Sequence, residues 1–128
     1  MPKTPWISFA PTRPDTAYLA LLSYLPLRHF RAIPKFFRYT AQIQRQLRTT
    51  PGIVGYALQA RPFSRQFWTL SVWQDQQSLH NFVSQIPHSQ IMQSLAPHMG
   101  ETKFAQWTVT SSEIPPDWPS ALARLNQS

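Results

Sequence analysis

Residues 53–83 read IVGYALQARPFSRQFWTLSVWQDQQSLHNFV, and the order of element types in them decides the fold. Ile53 to Ala60 (IVGYALQA) and Gln66 to Trp73 (QFWTLSVW) are each one strand long and rich in aliphatic, β-branched or aromatic residues. Arg61 to Arg65 between them contains Pro62 and is too short for a crossover. The two strands therefore form an antiparallel hairpin. Asp75 follows, a side chain that accepts from the orphan N–H groups of a helix start and favours the positive end of its dipole. Leu79, Phe82, Val83 and Ile86 then recur at i, i+3, i+4 and i+7, the apolar stripe of a helix. Pro87 interrupts it, and a second helical piece carries Ile91, Met92 and Leu95 toward Gly100.

Working outward, Tyr18 to Arg28 (YLALLSYLPLR) reads as a strand preceding the hairpin. It carries Leu19, Leu21, Ser23 and Leu25 on one face and Tyr18, Ala20, Leu22 and Tyr24 on the other. Ile33 to Arg48 reads as a helix, with Pro34 in the first turn, where a missing N–H is harmless. Ile33, Phe36, Thr40, Ile43 and Leu47 fall on one side of it, and Arg31, Arg38, Arg45 and Arg48 on the other. Pro51-Gly52 stops it. Lys103 to Thr110 (KFAQWTVT) alternates Ala105, Trp107, Val109 against Phe104, Gln106, Thr108 and reads as the last strand. Residues 1–15 read as an extended arm, 16–110 as the core, and 111–128 as a Pro-rich tail with a short helix over Ser120–Leu125 pinned by Trp118.

The order β-α-β-β-α-β predicts a single α+β domain of ferredoxin-like type with an antiparallel sheet. Two helices cover one sheet face, yet the strands are apolar on both. The expectation is that a second copy of the chain covers the other face, through Phe67, Ser71 and Trp73 or through Trp68 and Leu70, giving a homodimer.

A chain of 128 residues with 42% apolar residues can bury one core. Cysteine is absent, which excludes disulfides, thiolate nucleophiles and Cys-ligated metals. Met1 to Pro14 lacks the apolar core of a signal peptide, and the longest apolar run, Tyr18 to Leu27, is far short of a membrane span. A cytoplasmic protein is the expectation. The net charge is +7, and from Thr16 to Gln74 there is no acid beside eight cations. Such a surface can attract nucleic acid, anionic lipid or an anionic ligand. Arg65-Gln66-Phe67 departs from an RNA-recognition motif in lacking Gly at 66 and an aromatic at 69, so nucleic-acid binding is disfavoured.

The stretch Phe67 to Met92, FWTLSVWQDQQSLHNFVSQIPHSQIM, resembles the antibiotic-biosynthesis-monooxygenase superfamily, whose members are dimeric α+β barrels. The strand ending in Trp73, the polar-acidic turn and the aromatic in the second turn of the helix carry the resemblance. Trp68, Thr69, Leu70, Ser71 and Trp73 with Pro87-His88, and the flanks PGIVGYAL (51–58) and PHMGETKFAQW (97–107), are similar to a branch akin to spheroidene monooxygenase. The resemblance implies oxygen chemistry on an apolar or aromatic small molecule, with no cofactor or with heme. The Trp and axial His of heme-degrading members would fall at Phe82 and Met92, and neither matches.

Four histidines are candidates for proton chemistry. His88, after the Pro87 break and between Ile86 and Ile91, is the candidate catalytic group; its apolar setting predicts a lowered pKa. His98, after Pro97, is a weaker pocket candidate, and His29 and His80 read as surface. Trp73, Ser71, Tyr56, Tyr24, Phe82 and Met92 suit an apolar pocket, though aromatic and Met residues at these spacings also build plain cores. No metal-ligand spacing is present. A monooxygenase-like enzyme and a non-catalytic small-molecule (or heme) binding protein both remain open on these residues.

Overall fold

The computed structural model describes residues 4–85 and 88–125. Strands β1 (Ile7–Ser8), β2 (Ala17–Tyr24), β3 (Ile53–Arg61), β4 (Gln66–Trp73) and β5 (Lys103–Thr110) form one antiparallel sheet in the order β1-β3-β4-β2-β5. Helices α1 (Ile33–Leu47), α2 (Gln76–Ser84), α3 (His88–Leu95) and α4 (Trp118–Leu125) complete it. From β2 to β5 this is the ferredoxin-like arrangement, α+β, with the second helix in two pieces. Among the described residues no helix is long and apolar enough to cross a membrane.

Local chemistry sets the element ends. Pro26 has no N–H to donate, and β2 stops at Tyr24, short of the expected Arg28. Beyond it Leu25 and Leu27 still donate to the carbonyls of Phe67 and Arg65, at 2.7 and 2.9 Å. Asp75 caps α2 by accepting from the Ser78 N–H at 2.8 Å, and that bond holds its carboxyl below the usual range. Ile86 and Pro87, on which the expected helix interruption rests, lie outside the described residues.

The central register pairs Leu21 with Ser71, Leu22 with Leu70 and Ser23 with Thr69. One face carries Leu19, Leu21, Phe67 and Trp73 beneath α1, α2 and α3. The other carries Ala20, Leu22, Leu70, Val72 and Val109, all buried.

That second face is where the structure departs from the sequence argument. It is covered by the chain itself. Ala121, wholly buried, and Leu125 of α4 seat against Leu22, Trp68, Leu70 and Ala105. Trp6 lies over β3, and a Cβ at Gly55 would stand 2.6 Å from its indole, so the ring fits because that residue is glycine. The arm is pinned rather than loose. Thr4 and Leu58 exchange bonds at 2.9 and 2.8 Å, and the Phe9 N–H reaches the Val54 carbonyl at 2.9 Å. Covering this face therefore requires no second copy.

Trp107 is only half-buried, with the Arg124 guanidinium 4.7 Å from its ring centroid. Trp107→Ala is expected to destabilise by about 2 kcal/mol, less than the ~3–5 kcal/mol of a sealed aromatic. Leu70→Ala, fully inside, is expected to lose about 2–5 kcal/mol. Urea unfolding of the two variants checks the order.

Candidate functional site

A cavity of about 270 Å3 lies between the helices and the sheet. Its cause is legible in the register. Two neighbouring cross-strand rows form the floor, Tyr56-Ser71-Leu21 and Leu58-Thr69-Ser23. Beneath a helical layer these positions ordinarily carry large aliphatic side chains. Here three are small hydroxyl residues, Ser23, Thr69 and Ser71, too short to meet the helices above. Phe36 and Ile43 of α1, Phe82 of α2 and Met92 of α3 form apolar walls.

His88 begins α3 at the wall of this cavity. Its backbone N–H donates to Gln46 Oε1 of α1 at 3.2 Å, so the start of α3 is anchored on α1. The ring stands tilted against Phe82, centroids 4.8 Å apart, and Phe82 in turn packs on Trp73 at 5.2 Å. Nδ1 lies 3.2 Å from the Val83 carbonyl. A carbonyl can only accept, so the neutral ring donates from Nδ1–H and leaves the Nε2 lone pair free. Burial lowers the His88 pKa, and the Val83 carbonyl opposes that without reversing it. The group is thus a neutral imidazole at neutral pH.

The floor offers complementary donors. Ser71 Oγ accepts from the Trp73 indole N–H at 2.9 Å and keeps its own proton to give. Burial raises the Tyr56 phenol above its ordinary value, with Arg48 acting in the opposite sense, so it stays protonated and able to donate. Phe9 of the arm stacks on Tyr56 at 5.8 Å and fixes that ring.

Six sequence candidates meet at this cavity: His88, Trp73, Ser71, Tyr56, Phe82 and Met92. Two do not. Tyr24 alternates to the other sheet face, packs on Trp68 at 5.4 Å and accepts from the Gln66 amide at 2.9 Å. His98 lies in the turn after α3, where its carbonyl receives the Arg28 N–H at 2.9 Å, and it is not part of the lining. Ser23, Thr40, Gln44 and Thr69 line the cavity and are not among the candidates from sequence. The signal that could have found them is a polar residue at an inward strand or helix position, which a packed core avoids.

A shallower groove of about 390 Å3 lies outside the cavity along α1 and β3, with Phe37, Ala60 and Phe67 among its walls. It shares Phe36, Thr40, Gln44, Leu58 and Thr69 with the cavity, so the two are contiguous. A heme would need more than the inner space. At about 270 Å3 it is below the ~300–1,000 Å3 of pockets for drug-sized ligands, and a porphyrin is larger than those.

This fold is that of antibiotic-biosynthesis-monooxygenase-like proteins. A conserved protein of Methanosarcina mazei superposes with a TM-score of 0.64 at 13% identity, over 72% of this chain and 92% of the other. A point mutant of SnoaB, a cofactor-independent oxygenase of Streptomyces nogalater, gives 0.58 at 15%, over 78% and 98%. An antibiotic-biosynthesis-monooxygenase-like protein of Nitrosomonas europaea gives 0.65 at 13%, over 77% and 92%. At such identities the likeness is one of fold. Residues 32–127 match the family described as Domain of unknown function (DUF3291), and the chain belongs to that family. No curated protein matches it.

The lowered His88 pKa has a stability consequence. Between the folded value and the unfolded value near 6.5 the unfolded chain binds the extra proton. Stability is therefore full above about pH 6.5 and falls as pH drops toward the folded pKa. His88→Phe is expected to flatten that segment of the unfolding free energy plotted against pH; an unchanged slope would show that His88 does not cause it. Separately, Thr69→Leu fills the floor. It is expected to keep or raise the melting temperature while weakening uptake of apolar dyes at least tenfold, measured by fluorescence titration.

Proposed function

We propose that the cavity is the active site of a monooxygenase-type enzyme that oxidises a small apolar or aromatic molecule. One observation carries the reading. An apolar cavity holds one desolvated imidazole, His88, with a free Nε2, beside a row of hydroxyl donors. His88 takes a proton from an acidic C–H or O–H of the substrate. Tyr56 and Ser71 donate to the oxygen on which negative charge gathers. The apolar walls exclude water from the resulting carbanion. Molecular oxygen then accepts the electrons: a methylene between conjugated groups becomes a carbonyl, one oxygen atom enters the product and the other leaves as water. The substrate supplies the electrons, so no step needs a bound cofactor. The description of SnoaB as a cofactor-independent oxygenase on this fold supports the same direction.

A monomer and the homodimer expected from the sequence would both carry these side chains. Sedimentation at micromolar concentration decides between those assemblies. The second reading is a non-catalytic carrier of apolar molecules, favoured by the breadth of the outer groove. Nucleic-acid binding on the sheet is disfavoured because both faces are covered.

Oxygen uptake with anthrone-type and hydroquinone-type substrates tests the proposal, using labelled oxygen to follow one atom into product. His88→Ala is expected to lower turnover by about 10²–10⁴-fold while leaving the fold and substrate binding in place. Tight binding with no uptake in the unaltered protein would replace the enzyme with the carrier.

A further inference from the structure

The charges of this chain are sorted by position. Asp15, Asp75, Glu113 and Asp117, four of its five acids, lie at the end where β2 and β3 begin, with Arg13 and Arg48 among them. The opposite end gathers the loop after β2, the β3–β4 turn, the first turns of α1 and the start of β5. It carries Arg28, Arg31, Lys35, Arg61, Arg65 and Lys103 against one acid, Glu101.

The same basic end exposes large apolar rings. Phe63, 95% exposed, stands in the turn Pro62–Ser64 at the hairpin tip, and Phe30 is 55% exposed in the next loop. Phe37 of α1 and Phe104 of β5 are about half open. Phe63 and Phe30 thus stand exposed at a cationic rim, and exposed apolar surface of this kind marks interaction surfaces. The rim is built rather than loose. Arg65 adopts left-handed backbone, φ +57°, stacks its guanidinium 5.0 Å over the Phe30 ring and donates to the Arg28 carbonyl at 3.1 Å. Turn and loop are thereby held together as one surface.

We propose that this end docks on an anionic lipid bilayer, with Phe63 and Phe30 entering the acyl boundary and the surrounding arginines and lysines meeting the headgroups. Exposed aromatics within a basic rim are the chemistry of interfacial binding. Single-stranded nucleic acid fits less well. It needs aromatics aligned on a platform or along a groove, whereas these rings project from separate loop tips and the sheet faces are covered. The docking itself does not rest on the enzymatic reading.

Co-sedimentation with vesicles tests it, comparing phosphatidylcholine alone with an equimolar mixture of phosphatidylcholine and phosphatidylglycerol. Binding is expected on the mixed vesicles only, weakening as salt rises. Phe63→Ser and Arg31→Glu are each expected to weaken it about tenfold with unchanged melting temperature, while Gln76→Glu at the far end leaves it intact. Absence of binding to mixed vesicles, or equal binding to neutral ones, overturns the proposal. So does preferential retention of a single-stranded RNA oligonucleotide that Arg31→Glu abolishes, or a dimer that Phe63→Ser dissolves with no vesicle binding.

Discussion

The structure depends on the pairing of β2 with β4 in one register. Leu21 meets Ser71, Leu22 meets Leu70 and Ser23 meets Thr69. Side chains alternate across a sheet, so a slip of one residue would move the whole side-chain set of the slipped strand to the wrong layer. In the observed register Leu22, Leu70 and Ala105 form a dry row for α4, and the hydroxyl residues fall together under α1 and α3. A slip of β4 by one residue puts Thr69 and Ser71 against α4 and Leu70 and Val72 under the other helices. It closes the cavity and leaves polar groups in the tightly packed layer. The same pairing thus selects the fold and creates the space.

Local signals make the element order readable. Alternation in Lys103–Thr110, the Asp75 cap and the apolar stripe of α1 each depend on near neighbours, and each element appears within a few residues of its expected place. The cover of the second face is not readable in that way. Trp6 reaches β3 across about fifty residues of sequence, and Ala121 is too small to announce a core position. A proline-rich tail looks like linker until something is known to receive it. The apolar face does need a cover, as its composition implies, but the chain's own arm and tail supply it without a second copy.

The site shows the same division. Trp73, Phe82, Met92 and His88 are legible because a strand end and a helix break draw attention to themselves. Ser23 and Thr69 escape notice because an isolated hydroxyl in a strand carries no motif. Tyr24 has suitable chemistry for a pocket, although its alternation already puts it opposite Ser23, and the structure enforces the alternation. Periodicity is the stronger constraint, since a side chain cannot change sheet face without changing register.

Splitting the second helix has a further effect on His88. An unbroken helix would fix the ring by the turn preceding it. Here the backbone N–H of His88 is held by Gln46 of α1, while its ring is held by the Val83 carbonyl of α2. The imidazole therefore bridges three helices, and its position responds to how α1 and α2 lie on the sheet. Phe36 and Ile43 of α1 line the cavity that His88 borders. Gln46 thus ties the start of α3 to α1 beside the apolar packing of Phe36 with Ile91 and Leu95, and all of these contacts place the imidazole at the cavity wall. Gln46→Ala would remove the acceptor of the His88 N–H while leaving every lining residue of the cavity in the chain.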